Sequence, residues 1–378
     1  MLYTFGAPPD GAQPLAGLID VSGTLYGTTY SGGKYGDGTV FKPVASSKDK
    51  VLHNFPSYST DGEQPLAGLI DVNGTLYGTT KYGGKYGYGT VFSVTTASSY
   101  EHVLYPFGKN GGADAEHPYA GLVGVGGTLY GTTLGGGVYG HGTVFSVTTS
   151  GTEKVLYSFG GSDGADPSAA LTNVGGTLYG TTELGGKYDG GTVFSVTTSG
   201  TNEKVLHSFG NGSDGDRPAA GLIYAYGLLY GTTYNGGTKC PKSGGCGTVF
   251  NLTTDSHHTE TVLHNFGSGA DDGANPYAAL TNVSGELFGT TLHGGKYSNG
   301  TVYQIDLHTS GYHFNLLHDF GLGSDGRNPY AAMIYEAGNL IGTTGGGGSG
   351  YGTVFSQWAF MAMAPCSRCH QRNAALHR

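Results

Sequence analysis

A Gly-Thr-Thr triplet returns seven times along the chain, beginning at Gly27, Gly78, Gly131, Gly180, Gly231, Gly289 and Gly342. Its period of roughly 50 residues is the length of one supersecondary unit in an array, too short for an independent domain. Two further landmarks keep phase with it. Gly-Thr-Val followed by an aromatic residue begins at Gly38, Gly89, Gly142, Gly191, Gly247, Gly300 and Gly352. An aspartate stands four residues before a proline at Asp10, Asp61, Asp114, Asp163, Asp214, Asp272 and Asp325. Every repeat carries all three landmarks.

Within the fourth repeat, residues 168–174 and 177–182 are short β-prone runs joined by Gly175 and Gly176, the pair expected of a tight hairpin. Residues 191–197 and 204–209 form a second hairpin, so one repeat predicts four antiparallel strands, A to D. A lone twisted sheet cannot bury both faces, whereas sheets packed radially cover one another. The chain ends select a ring. Leu2 to Phe5 match strand D, and the last repeat stops after strand C, at residues 352–356. The expected fold is all-β: a seven-bladed β-propeller of four-stranded antiparallel blades, closed by the N-terminal strand completing the last blade. Closure removes the exposed sheet edges. Residues 1–356 make this single domain, and 357–378, which lack glycine, read as a divergent, disordered tail.

The repeated unit, typified by ALTNVGGTLYGTTELGGKYDGGTVFSVTTSG from Ala170, resembles the GloVer tandem-repeat family of bacterial, often surface-anchored or secreted proteins. That resemblance implies an extracellular setting and carries no assigned activity. The strand order also resembles the repeats of quinoprotein-type propellers. Here, however, Tyr or His stands where that pattern has Trp, at Tyr3, His53, Tyr105, Tyr157, His207, His264 and His318, which removes the expectation of a quinone cofactor.

Charge limits the partners. Lys and Arg number 18 against 27 Asp and Glu, a net charge of -9 with no basic cluster, so nothing would neutralise a row of phosphates and nucleic acid is not expected. The 73 glycines, 28 tyrosines and 16 phenylalanines describe a turn-rich, aromatic β protein with a packed core. No apolar run of about 18 residues is present, so no transmembrane segment is expected. Met1 to Phe5 lack the charged and apolar regions of a signal peptide. An extracellular or cell-surface location is still expected, because Cys240 and Cys246 are placed to tie the long loop of the fifth repeat as a disulfide, which needs an oxidising compartment. The protein is expected to be a monomer.

Chain direction places the D-to-A loops, with their aspartates, and the B-to-C loops at one end of the ring. The aspartates read as structural, each forming an Asx-type turn that fixes the crossing to the next blade. Ligand-binding candidates are Tyr35, Tyr86, Tyr139, Tyr188, Tyr297 and Tyr351 of the B-to-C loops, since tyrosine offers apolar area and a polar tip. Packing over the adjacent blade is the alternative for the same rings. Catalytic candidates are His117, His141, Asp189 and His293, in or beside these loops. His53, His207, His264 and His318 share one strand D position, too far apart to hold one ion, so interblade packing is expected and no metal site. Cys366, Cys369 and His370 spell the CxxCH pattern of covalent haem attachment. So short a tail cannot wrap a haem alone, and no cofactor is expected.

No GxSxG, HExxH or P-loop motif occurs. The function expected first is a secreted or cell-surface binding module for polysaccharide or protein, acting through the loop-rich face. The alternative is a carbohydrate-active hydrolase or lyase with its site at the channel mouth.

Overall fold

The computed structural model describes residues 1–43, 50–57, 60–97, 101–240, 245–267, 272–308, 312–321 and 325–358. Cys366, Cys369 and His370 lie outside the described residues, and so does the haem pattern they form. No helix occurs among the described residues, and none therefore is long and apolar enough to cross a membrane.

Seven four-stranded antiparallel sheets make up a β-propeller. In the fourth blade strand A is Thr172–Val174, B is Thr177–Thr182, C is Thr192–Thr197 and D is Lys204–Ser208. Gly175 and Gly176 turn the first hairpin at φ of 59° and 87°, left-handed geometry that a primed two-residue turn requires. Strand A starts later than its sequence pattern predicts. The residues before it bond sideways: the Ala169 carbonyl accepts the Thr132 hydroxyl of the preceding blade at 2.9 Å.

The recurring triplets have separate mechanical jobs. The glycine of Gly-Thr-Thr lets strand C's aromatic ring lie flat on strand B; a Cβ on Gly180 would stand 2.5 Å from Phe194 Cζ. In every triplet but the sixth, where the Thr290 hydroxyl has no hydrogen-bond partner, the first threonine stitches blades together, as Thr181 does by donating to the Ala220 carbonyl at 3.0 Å. The second pairs within its blade, Thr182 Oγ1 meeting Thr192 Oγ1 of the Gly-Thr-Val run at 2.9 Å, both fully buried. Gly191, at φ 89°, has room for no side chain because a Cβ would run into the Thr182 carbonyl.

Phenylalanine at the end of strand D then locks each seam. Phe5, Phe55, Phe107, Phe159, Phe209, Phe266 and Phe320 are each at most 1% exposed, and each meets the strand C aromatic of the next blade edge-on. Centroid separations of 4.9 to 5.1 Å repeat around the whole ring. The seventh seam is closed as expected. Tyr3 pairs with Val354 and Thr4 with Thr353, placing the first strand, Tyr3–Thr4, beside the last, Thr353–Trp358. Thr343 donates to the Ala16 carbonyl at 3.0 Å, and Phe5 packs on Phe41.

Above the sheets, D-to-A and B-to-C loops pair directly, for example Gly11–Ala12 with Ser31–Gly32 and Gly326–Arg327 with Gly346–Gly347. Both loop sets therefore share one face. In the fifth blade Cys240 and Cys246 are disulfide-bonded and buried, with Cα atoms 5.5 Å apart.

Candidate functional site at the mouth of the ring

The residue before each loop proline holds an unusual backbone. Gln13, Gln64, His117, Asp166, Arg217, Asn275 and Asn328 all adopt φ between 54° and 58°, in the left-handed region that side chains with a Cβ normally avoid. The reason is a pair of hydrogen bonds, one to the blade on each side of the seam. The Arg217 amide, for instance, donates to the Gly190 carbonyl of the preceding blade at 2.8 Å, while the Arg217 carbonyl accepts the Tyr234 amide at 2.9 Å. Some side chains add a third link: Asn275 Nδ2 reaches the Tyr234 carbonyl at 2.9 Å and Asn328 Nδ2 the Leu292 carbonyl at 3.1 Å.

This bracing presents three ring positions to the channel mouth: the residues flanking each loop proline and the residue after each Gly-Thr-Thr. The repeats differ at these positions. After the proline stand Leu15, Leu66, Tyr119, Ser168, Ala219, Tyr277 and Tyr330, and after the triplet Tyr30, Lys81, Leu134, Glu183, Tyr234, Leu292 and Gly345. Seven equal blades thereby acquire an unequal centre.

A pocket of about 710 Å³ opens there, lined among others by Tyr30, Lys81, Tyr119, Tyr277, His293, Arg327 and Tyr330. The Tyr277 hydroxyl donates to the Tyr119 hydroxyl at 3.3 Å, joining blades six and three across the ring. Tyr277 also meets Tyr330 edge-on at 5.5 Å and Tyr234 at 5.9 Å. Burial, reinforced by Tyr119 and Glu183, pushes the Tyr277 hydroxyl far above its ordinary range, so it stays protonated and acts as a donor. Lys81 Nζ lies 5.3 Å from the centre of the Tyr119 ring and 5.1 Å from that of Tyr82. On the fourth blade burial raises the Glu183 carboxyl, with Asp166 adding to the effect and Ser168 and Arg217 opposing it. Asp166 is raised by burial too, partly offset by His141.

The sequence candidates fall in different places. His293 lines the pocket. His117 is held edge-on between Tyr82 and Tyr88, at 5.3 and 5.5 Å, with Nδ1 3.1 Å from the Lys81 carbonyl. His141 is exposed, and Asp189 accepts the Gly185 amide at 3.1 Å within its own loop. Tyr35, Tyr86, Tyr139, Tyr188 and Tyr351 are exposed and Tyr297 is half-buried, and none of the six lines the pocket. Their loops lean outward over strand D: the Lys34 amide donates to Asn54, Lys187 to Ser208 and Lys296 to Asp319. Four of the rings are covered by the lysine before them, with Nζ 4.9 to 5.4 Å from Tyr35, Tyr86, Tyr188 and Tyr297.

The seven aspartates each serve their own loop. Asp10 accepts the Gly11 amide at 2.9 Å and the Tyr3 hydroxyl at 2.8 Å. His53 meets Asp61 at 2.9 Å, Tyr105 meets Asp114 at 3.0 Å, Tyr157 meets Asp163, and His207, His264 and His318 pair likewise with Asp214, Asp272 and Asp325. Tyr and His are interchangeable here because each offers one donor at a similar reach. A glutamate from the next blade joins four of these seams: Glu101, Glu153, Glu203 and Glu260. Burial and then Asp61 push Glu101 up to about 8, and burial and Asp114 push Glu153 up to about 7. His53, Asp61 and Glu101 have ligand atoms within 4.8 Å of one another, the one such grouping among the described residues. Burial and Asp61 both favour the protonated form of Glu101 in this grouping.

The fold and the mouth together define a closed propeller whose shared frame carries one asymmetric pocket. The Gloeobacter/Verrucomicrobia repeat model matches residues 1–133, 87–241 and 238–359, and the chain belongs to that family. No curated protein matches it in sequence. Among solved structures it is similar to an extracellular domain of a one-component system from B. thetaiotaomicron, at TM-score 0.60 and 10% identity over 94% of this chain and 40% of that one. It is similar to the GH74 enzyme of Niastella koreensis, at 0.58 and 14% over 94% and 53%. An oligogalacturonate lyase from Vibrio parahaemolyticus gives 0.56 and 9% over 95% and 97%. Such identities establish the propeller fold, and the first two of these neighbours are much longer chains.

Proposed function

We propose that this protein is a secreted or cell-surface binding module that takes saccharide in the mouth pocket. The observation that carries the reading is convergence: positions that differ between otherwise repeated blades meet in one concave, tyrosine-walled site. Tyrosine faces stack on sugar rings while tyrosine hydroxyls bond those of the sugar. The buried disulfide fits an oxidising compartment, and the fold is shared with extracellular domains and carbohydrate-active enzymes. Affinity electrophoresis through gels cast with soluble polysaccharides tests it. Retardation on at least one polysaccharide is expected, lost in Tyr30→Ala and Tyr330→Ala and kept in Tyr35→Ala. Free migration in every gel overturns the reading.

A carbohydrate-active hydrolase or lyase is the second reading, favoured by Glu183 and Asp166 beside the mouth, whose carboxyls burial raises, the direction that suits a proton donor. It predicts release of reducing ends or unsaturated sugars, abolished in Glu183→Gln. Binding without any product excludes it.

A further inference from the structure

The mouth is charged against the rest of the chain. The protein carries a net charge of -9, yet the pocket lining contains Lys81, His293 and Arg327 and no aspartate or glutamate. These three come from blades two, six and seven, so with the first blade they form an arc on one side of the ring. The carboxyls near the centre, Asp166 and Glu183, belong to the fourth blade and are absent from the lining. A neutral sugar has no use for such a separation. Lys81 and Arg327, gathered in a concavity of an acidic protein, raise the local concentration of anions there.

The positions also suit a chain of charges better than a single multivalent anion. Lys81 Nζ is held over the faces of Tyr82 and Tyr119, where its N–H groups remain available for bonding. Arg327 sits in a two-residue strand, Gly326–Arg327, paired to Gly346–Gly347, which fixes its backbone at the pocket wall. Its planar fork suits a carboxylate in bidentate fashion. Tyr30 belongs to the first blade, between those of the two cations, and Tyr330 lines the pocket from the same blade as Arg327.

Resting on the saccharide reading above, we propose that the ligand is an acidic oligosaccharide of the uronic-acid class, its ring faces on Tyr30 and Tyr330 and its carboxylates on Arg327 and Lys81. The chain then discriminates acidic from neutral sugars at this pocket.

Isothermal titration of the full chain with oligogalacturonate and oligoguluronate, each beside its methyl ester, tests the assignment. At least one acid form is expected to bind roughly tenfold or more tighter than its ester, about 1.4 kcal/mol. That preference should fall as salt rises, because the cations are partly open to solvent. Arg327→Gln and Lys81→Gln should each shrink the preference while their melting temperatures match wild type. Equal affinity for acid and ester, or binding of neutral oligosaccharides only, overturns the acidic assignment and leaves saccharide binding standing. Tighter binding of a sulfated oligosaccharide than of either uronate also overturns it. Failure of acidic, esterified and neutral oligosaccharides alike overturns both readings.

Discussion

Replacing Phe5 by alanine should do more damage than the same change in any internal seam. Phe5 is fully buried, edge-on to Phe41 at 5.1 Å and to Tyr3 at 5.0 Å. Phe159 is its internal equivalent, fully buried between Tyr157 at 5.2 Å and Phe194 at 4.9 Å. Truncating a buried phenylalanine costs about 3–5 kcal/mol in transfer and cavity terms, so the direct loss is the same at both sites. The consequences differ because of chain connectivity. Around Phe159 both neighbouring blades continue in sequence. The first strand pairs only through Tyr3 and Thr4, helped by Leu2 donating to the Val354 carbonyl at 2.8 Å and Phe5 to the Gly352 carbonyl at 3.2 Å. Losing the Phe5 ring lets this strand leave, which bares the edge of Thr353–Trp358, a template for pairing between molecules. Urea titration with sedimentation velocity at several protein concentrations measures both effects. Phe5→Ala should lose about 3–5 kcal/mol and associate as concentration rises, whereas Phe159→Ala should lose a similar amount and stay monomeric. A Phe5→Ala protein that sediments as a monomer at wild-type stability refutes the closure argument.

Tyr303→Phe should stabilise the protein by about 1–3 kcal/mol in urea, because this fully buried hydroxyl has no hydrogen-bond partner and the other six blades carry Phe there. No gain would mean the hydroxyl is satisfied in solution. Gly180→Ala should destabilise by at least about 1–3 kcal/mol through the clash with Phe194 and Leu171, and a neutral outcome would contradict the close approach of strands B and C. Burial pushes Glu101, Glu153 and Glu260 up to about 8, 7 and 7 from the ordinary 4.5, so the native chain holds protons the unfolded chain has released. Their contribution is therefore greatest below pH 4.5 and is lost as pH rises through 7 to 8; thermal midpoints of Glu101→Gln should fall less than wild type over that range. Parallel pH profiles for the two proteins would show that Glu101 is ionised in the fold.

The ring was legible in the sequence because its determinants are the residues that repeat. Gly180, Thr181, Thr182 and Thr192 are identical in kind across blades, and the match of Leu2 to Phe5 with strand D revealed the closure. The Tyr and His interchange on strand D was readable only as interblade packing; the bond each ring makes to its loop aspartate was not, nor were the seam glutamates, whose partners belong to another blade. The mouth was harder for the opposite reason. Its residues are those that do not repeat, so nothing in any one copy marks them. The usable signal was variability at fixed positions: Leu66, Tyr119, Ala219 and Tyr277 follow the same proline in different blades. Tyr35 and Tyr188 recur with their loops and lie outside the mouth pocket, each with its preceding lysine over the ring. The left-handed backbone at Gln13, His117 and Asn328 cannot be inferred from residue type, because it follows from bonds to the blade on either side.

Hydrogen exchange read by mass spectrometry, with and without a saturating saccharide that the protein retains, tests the central claim that the unequal mouth of an equal ring is where ligand binds. Slower exchange is predicted at Tyr30 and Lys81 and in the loops carrying Tyr119, Tyr277 and Tyr330, with the loops carrying Tyr35, Tyr86 and Tyr188 unchanged. Protection confined to those outer loops, with the mouth unaltered, would contradict the account.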